Sequence, residues 1–267
     1  VTFASWNNLM GDSGGEMWTG VPQSIAVDHP AQIAVGANAV TVEVTSGGVP
    51  LAGALVCLFE DGVTHVRATT GTDGTVDLPV NTPSPGTLLV TVTKHDYHPY
   101  LGEIDIDNAT QFVGYNAHTI DDDAGGTSSG NGDGLANPGE AIELPVQVRN
   151  FGTQSASNVT ATLTSDDPYV TITDATETFG TIAGGATAWS ADDFDIAIDG
   201  GTPNGHLIQL GMDVVSGGNT WHSLVEIPVV AAAFTYESVT LTGFGTRIDP
   251  GESGQITAQG FELAARA

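Results

Sequence analysis

An all-β chain of tandem immunoglobulin-like β-sandwiches is the fold class this sequence predicts, and three observations carry it. Short runs of Val and Thr alternate with polar residues, as in Thr41-Val42-Glu43-Val44, the period of a strand with one dry and one wet face. Turn phrases rich in Gly, Pro and Asp recur between the runs: Ser46-Gly47-Gly48, Glu60-Asp61-Gly62, Thr72-Asp73-Gly74 and Pro83-Ser84-Pro85-Gly86. Helix-period apolar spacing is confined to the last stretch, Phe261 to Ala267. Hydrophobic residues make up 40% of the chain, enough for packed cores and too much for general disorder.

The 267 residues suit about two domains of roughly 100–150 residues each. Residues 1–22, with Trp6, Met17, Trp18 and Pro22, read as an irregular lead-in. Residues 23–107 hold seven predicted strands: Ser24–Val27, Ala39–Thr45, Ala54–Phe59, Val63–Thr69, Gly74–Leu78, Thr87–Thr93 and Tyr100–Ile106. That number and spacing fits one immunoglobulin-like sandwich. Residues 108–230 repeat the pattern, with strands at Ala141–Asn150, Ala156–Ser165, Val170–Thr173, Glu177–Ile182, Ala188–Ile198, Gly205–Val215 and Thr220–Val229. Asn108 to Ala124 reads as a link between the two units, and Asn150 is placed to cap the turn after its strand. Residues 231–267 hold too few strands for an independent domain and read as the start of an incomplete third repeat.

Charge narrows the functional classes. Five Lys and Arg against 32 Asp and Glu give a formal charge of −27. Such a surface repels phosphate backbones and anionic membranes, which argues against nucleic-acid binding. No apolar run approaches the ~20 residues of a membrane span, so membrane insertion is not expected. The single cysteine, Cys57, excludes an intrachain disulfide. Its apolar surroundings, Ala54-Leu55-Val56-Cys57-Leu58-Phe59, predict a buried strand thiol, not a nucleophile in an electropositive setting. Trp189 and Trp221 lie in predicted strands and are expected in the core; an exposed pair would instead suggest a sugar platform. His95 and His98 flank Asp96-Tyr97 without the four converging ligands a structural zinc needs.

The stretch with the most chemistry precedes the second unit. Asp121-Asp122-Asp123 is followed by Gly130-Asn131-Gly132-Asp133-Gly134 and closed by Asn137-Pro138-Gly139-Glu140. Short oxygen-bearing side chains spaced by glycines suit Ca²⁺, which takes six to eight oxygens on a tightly turning loop. The expected ligands are Asp121, Asp123, Asn131, Asp133 and Glu140, with Asp193 or its neighbour Asp192 approaching from an adjacent strand. The ligand order and flanking helices of an EF-hand are missing. The competing reading is a solvated acidic hairpin on an acidic surface. Pro-Gly-Glu returns at Asp249-Pro250-Gly251-Glu252 without the Asn-Gly-Asp portion, so it also reads as the turn that launches each repeat.

Several phrases in the first hundred residues resemble a known family. Asn8-Leu9-Met10-Gly11-Asp12, with Met17-Trp18 and Pro22, is similar to the end of the catalytic domain in gingipain-type cysteine peptidases. Val27-Asp28-His29-Pro30, Val49-Pro50-Leu51-Ala52-Gly53-Ala54 and Val90-Thr91-Val92-Thr93-Lys94-His95-Asp96-Tyr97-His98-Pro99-Tyr100 resemble the immunoglobulin-like domain that follows it. Ser13 stands where that family has proline. The second unit resembles CARDB-type repeats, whose Asp-rich loops commonly accompany calcium. Gly11-Asp12-Ser13-Gly14-Gly15 also matches the nucleophile phrase of chymotrypsin-like proteases, but no histidine precedes it.

The resemblance implies that the catalytic Cys and His of such a peptidase lie upstream of this chain, which begins at Val1 and so reads as a processed piece. No catalytic residue is carried over. The expectation is a non-catalytic extracellular spacer or stalk of a larger secreted bacterial protein, stiffened by calcium and partnered by that upstream catalytic domain. Two alternatives stand beside it: a module binding a glycan or cell-surface partner, and a filament subunit assembling through strand edges.

Overall fold

The computed structural model describes residues 20–231 and the backbones of two strands, Phe234–Thr242 and Gln255–Leu263. All of its regular structure is β, arranged as two immunoglobulin-like sandwiches in tandem. The first uses β1 (Ala26–Asp28), β2 (Gln32–Ala34), β3 (Ala39–Ser46), β4 (Val49–Pro50), β5 (Leu55–Glu60), β6 (Thr64–Thr69), β7 (Thr75–Pro79), β8 (Gly86–Thr93) and β9 (Tyr100–Asp107). One sheet is built on β3, which pairs β1, β4 and β7; the other runs β2-β9-β8-β5-β6. Alternation places Val40, Val42 and Val44 of β3 in the core against Val56, Leu58, Leu88, Val90, Val92, Ile104 and Ile106 of the facing sheet. Full burial of each such side chain contributes about 1.5–3 kcal/mol, which makes this the main stabilising term.

Proline sets the edge of the first sandwich. β1 pairs antiparallel with β3, Ala26 opposite Thr45 and Asp28 opposite Glu43. At Pro30 the chain leaves that sheet and crosses to the other, where β2 runs parallel to β9. Among the described residues, the N-terminal half of β3 therefore has β7 on one side and no strand on the other.

The second sandwich uses β10 (Val113–His118), β11 (Ala141–Leu144), β12 (Val146–Asn150), β13 (Ala156–Thr164), β14 (Val170–Asp174), β15 (Thr176–Ile182), β16 (Thr187–Trp189), β17 (Phe194–Ile198), β18 (Leu207–Ser216) and β19 (Asn219–Pro228). One sheet runs β15-β13-β18-β19. The opposite layer is in two pieces, β10-β12-β16 and β11-β17-β14. The predicted strands Ala141–Asn150 and Ala188–Ile198 are thus each broken, and at matching places. Pro145 lacks the N–H a continuous ladder needs. Opposite it, Ser190–Asp193 detach, with Ser190 donating its N–H to Val146 O at 2.8 Å and its hydroxyl oxygen accepting from Val146 N. The predicted link Asn108–Ala124 contains a strand, β10. Asn150 caps its turn as expected: buried, it accepts Gly152 N–H at 3.0 Å and donates to Gln154 O and Ile182 O.

Two placements differ from expectation. Trp189 is 46% exposed, because the short edge strand β16 turns it away from the core, whereas Trp221 packs against the core and Phe112. Cys57 is half-buried on the outer face of β5, not in the core, because Val56 and Leu58 take the inward phase. Beyond the second sandwich, Phe234–Thr242 (β20) and Gln255–Leu263 (β21) pair antiparallel. Residues 1–19 of the 1–22 lead-in and the repeated phrase Asp249–Glu252 lie outside the described residues.

The sandwiches meet at specific contacts. Asn38 donates to Leu224 O at 2.7 Å and accepts Leu224 N–H at 3.2 Å, satisfying both outward groups of that residue on the edge strand β19. Gly36, at φ +92°, lies so close to Phe151 that a Cβ there would come within 2.3 Å of the ring. Arg149 also sits over that ring, 5.1 Å from its centroid. His222 of β19 bonds Asp213 Oδ1 through Nδ1 at 2.8 Å and brings Nε2 to 3.4 Å from Asp77 Oδ2 on β7. The second approach has ion-pair distance without hydrogen-bond geometry.

Asp77 across the junction, helped by Asp213 and opposed by burial, lifts the His222 imidazole to about 9. His222 in turn holds Asp77 below the usual carboxylate range, against its burial and with help from the Thr41 hydroxyl. A raised folded-state value means the stabilisation is complete below about 6.5 and is lost as pH rises through about 9. Allowing for solvent screening, it is worth about 1–2 kcal/mol. Urea unfolding should therefore show wild type more stable than His222→Gln at pH 6, with the gap closing by pH 10. A gap that persists unchanged at pH 10 would contradict a charged junction.

Candidate functional site

The acidic loop is tied at both ends before any side chain acts. Asp121 and Glu143 exchange both backbone hydrogen bonds at 2.9 Å, and Ser129 and Ala141 do so at 2.8 and 3.1 Å. Between these bridges Asp122 turns inward and is 1% exposed. Its Oδ2 accepts the N–H groups of Gly132 at 2.9 Å and Asp133 at 3.2 Å, and its Oδ1 accepts Gly134 N–H at 2.9 Å. Gly132 and Gly134 adopt φ of +75° and +73°, a left-handed conformation open to glycine at low cost, which turns successive N–H groups into one concave nest. The nest binds an anion, and the anion is the chain's own carboxylate. Burial pulls Asp122 upward, but the donors Gly134, Asp133 and Gly132 together outweigh it and leave the group below its ordinary value.

Glu140 repeats the arrangement on the other limb. It is 8% exposed, and its two oxygens accept Asn131 N–H at 3.2 Å and Asn137 N–H at 3.0 Å. Burial raises its pKa; the Asn137 bond works against that, and the charge of Asp122 adds to it. Gly130 is required between them, since a Cβ there would lie 2.4 Å from Asp122 O. Asn137 then latches the loop to the far end of the sandwich, donating to Val230 O at 2.8 Å, while Val230 N–H bonds Ala136 O.

The six predicted ligands are placed in separate settings. Asn131, Asp133 and Glu140 share the nest region with Asp122: Asn131 Oδ1 accepts Asp133 N–H, and Asp133 Oδ1 accepts Leu135 N–H, both at 2.9 Å. Asp123 caps Gly125 N–H on the exposed side. Asp121 and Asp193 belong to a second group with Glu143, Asp192 and Asp195. There burial raises Asp193, and the negative charges of Glu143, Asp192, Asp121 and Asp195 raise it further. Glu143 and Asp195 stand directly opposite on paired strands, a destabilising arrangement for like charges. One hydroxyl, Thr127 Oγ1, lies within bonding distance of both, 3.1 Å from Glu143 and 2.8 Å from Asp195.

As donor sets these two groups differ. Asp122 and Glu140 point their oxygens at N–H hydrogens, so that group does not fit a shared cation. The second is partly bonded, Glu143 accepting the Thr127 N–H at 2.7 Å, but it gathers hard oxygens of one sign whose charges still raise Asp193, the chemistry a cation such as Ca²⁺ takes. Among the described residues, no three His, Cys, Asp or Glu side chains stand together in a metal-holding arrangement. His95 lies 3.5 Å from Asp96, and His98 N–H bonds Gln23 O. The residue that sequence reasoning missed is Asp122. A signal was there: counted in twos from the half-buried Ile120, Asp122 falls on the inward phase and its two neighbours do not.

Substitution tests the nest. Asp122→Asn replaces one of the two acceptor oxygens with an NH2 that opposes at least one of the three donors and removes the charge from the others, and should cost about 2–4 kcal/mol in urea unfolding. Because the folded carboxyl is depressed, its contribution is present above the unfolded value near 4 and is lost as pH falls through the folded value. The gap between wild type and variant should therefore shrink from pH 5 toward pH 2. An equal stability at pH 7 would remove the nest as a structural anchor.

Similarities to solved structures are confined to architecture. The chain is similar to the gingipain RgpB of Porphyromonas gingivalis in complex with its pro-domain, at 23% identity over 33% of this chain and 20% of that chain, with a TM-score of 0.29. It is similar to the BSP domain of a biofilm-associated protein, at 18% identity over 79% of this chain and 31% of that one, TM-score 0.29. It is also similar to the D0-D1 domain of intimin, at 16% identity over 77% and 97% of the two chains, TM-score 0.25. Likenesses of this size carry no functional argument. The chain spans a fifth of the gingipain chain it matches. No family model matches this sequence, and no curated protein does.

Proposed function

We propose that this chain is a non-catalytic, extracellular pair of immunoglobulin-like domains acting as a spacer or adhesion-type module of a larger secreted protein. The observation that carries the reading is the junction. Asn38 binding both groups of Leu224, Gly36 seated against Phe151 and His222 bridging Asp77 and Asp213 hold one sandwich on the other. A spacer needs such a joint, because neighbours are held at a set distance only if the tandem does not swivel. The phrases shared with the immunoglobulin-like region of gingipain-type peptidases support such a peptidase as the parent, with the catalytic domain upstream as partner. Cys57 supports the non-catalytic reading: it faces away from the core opposite Arg67 and Thr91, strand residues without general-base chemistry.

Calcium stiffening belongs to the same proposal. What supports it is the mutual repulsion of Asp121, Glu143, Asp193 and Asp195, which a divalent cation would relieve at the foot of β11 and β17.

The test places spin labels at the exposed positions Val49 and Thr173 in a Cys57→Ser background and measures the distance between them. A single narrow distribution is expected, together with a rise of a few degrees in melting temperature on adding calcium and its reversal by EDTA. A broad distribution would overturn the spacer reading, and a melting curve indifferent to both additions would overturn the calcium part.

A further inference from the structure

We propose that the cleft between the two sandwiches is a binding slot for an extended, lysine- or arginine-bearing peptide, which adds as a strand to the open half of β3. The cleft encloses about 550 Å³ and is lined by Ala39 and Thr41 of β3, Asp107 at the end of β9, Phe112 ahead of β10, and Thr220 and Trp221 of β19.

Strand phase shows what the walls present. Val44 N–H bonds Gly74 O and Val80 N–H bonds Asn38 O, so residues 38, 40, 42 and 44 turn their backbone groups toward β7. Ala39 stands opposite Pro79, which has no N–H to give, and confirms the alternation. Ala39, Thr41 and Glu43 therefore turn theirs the other way. β1 meets Glu43 through Asp28 and then departs at Pro30, leaving Ala39 and Thr41 facing the cleft. On β19, Val229 N–H bonds His206 O and Pro228 stands opposite Leu207, so the even-numbered residues face outward. Asn38 satisfies Leu224; the next two in that phase, His222 and Thr220, border the cleft. Among the described residues, no backbone partner meets the outward N–H and C=O of Ala39, Thr41, Thr220 or His222.

Donors and acceptors repeating every second residue are the pattern that recognises an extended main chain. The open part of β3, residues 39–42, accommodates roughly four residues at about 3.3 Å each. Charge selects the side chains. Asp107 lines the slot and, among the described residues, accepts the neutral Gln32 amide at 3.1 Å. The His222 imidazolium on the opposite wall is already paired with Asp77 and Asp213. The chain as a whole carries 32 acidic residues against 5 basic ones, so the further cations come from the partner. The proposal stands apart from the spacer reading, since a rigid tandem with no peptide partner would satisfy that reading alone.

The test uses the whole chain and a capped six-residue peptide of alternating Thr and Lys, read by amide chemical shifts and by fluorescence anisotropy of a labelled copy. The expected result is saturable binding with shifts centred on Ala39, Thr41, Thr220 and His222, weakened at least tenfold between 50 and 500 mM salt. A peptide with Glu for Lys, and a Lys peptide N-methylated at alternate residues, should each bind at least tenfold more weakly. Thr41→Pro removes one cleft-facing N–H, leaves the β3–β7 ladder its bonds and should lose binding by the same factor. Equal binding of the Glu or N-methylated peptide, or no saturation by the Lys peptide at millimolar concentration, overturns the proposal; these arms decide even if Thr41→Pro fails to fold. Dimerisation of the free chain that Thr41→Pro abolishes would also overturn it, by assigning the slot to a second copy.

Discussion

A buried carboxylate surrounded by backbone N–H groups is the constraint on which the second sandwich depends. Asp122 accepts three of them, and those three belong to the Gly-Asp-Gly turn that brings the chain round to Glu140 and into β11. A buried charge is expensive unless it is fully bonded, so the arrangement is stable only with the turn closed. Closing the turn brings Glu140 within reach of Asn131 and Asn137, and Asn137 within reach of Val230. One ionised group thereby organises an exposed, glycine-rich stretch with few apolar contacts of its own. Its placement also divides the loop's chemistry. The carboxylates of Asp122 and Glu140 on the nest side each accept two or more N–H groups, while on the β11–β17 face Glu143 accepts one, from Thr127, and the surrounding charges still raise Asp193.

Prolines break strands within each sandwich, and a strand edge carries the joint between the domains. Pro30 ends the pairing of β1 with β3, and Pro145 breaks the strand that would otherwise run through one sheet. Each break leaves backbone groups that need partners. At the junction the groups in need are those of Leu224 on the edge strand β19, and Asn38 meets both, a side-chain amide doing for one residue what a neighbouring strand does for many. The same edge carries His222 between two carboxylates. Polar satisfaction of strand edges, together with a glycine that admits Phe151, joins these domains; the two apolar cores remain separate.

Much of the architecture was legible because one face of nearly every strand is buried, and burial writes a period of two into the residues. Thr41-Val42-Glu43-Val44 is a clear instance. Val113-Gly114-Tyr115-Asn116-Ala117-His118 mixes small and half-buried residues, so β10 was hidden in an apparent linker. The break at Pro145 was visible as a proline, but its counterpart at Ser190–Asp193 follows from pairing between strands roughly fifty residues apart, which no local pattern reports. In the loop, acidic residues and glycines pointed to the right stretch. They could not show whether oxygens converge on a cation or on N–H groups, because that depends on the sign of φ at Gly132 and Gly134 and on which Asp of three turns inward. Trp189 shows the same limit, as a strand residue at an edge keeps its sequence signature while losing its cover.

An acidic surface with so few cations must hold its loops by means other than salt bridges, and backbone N–H groups are the positive ends that remain. Hydrogen exchange at Gly132, Asp133 and Gly134, followed in EDTA from neutral pH downward, tests this most directly. The three amides are expected to be protected at pH 7 without any divalent cation and to lose protection together as Asp122 takes up a proton. Amides that exchange freely at pH 7 in EDTA, or that stay protected after Asp122 is protonated, would contradict it.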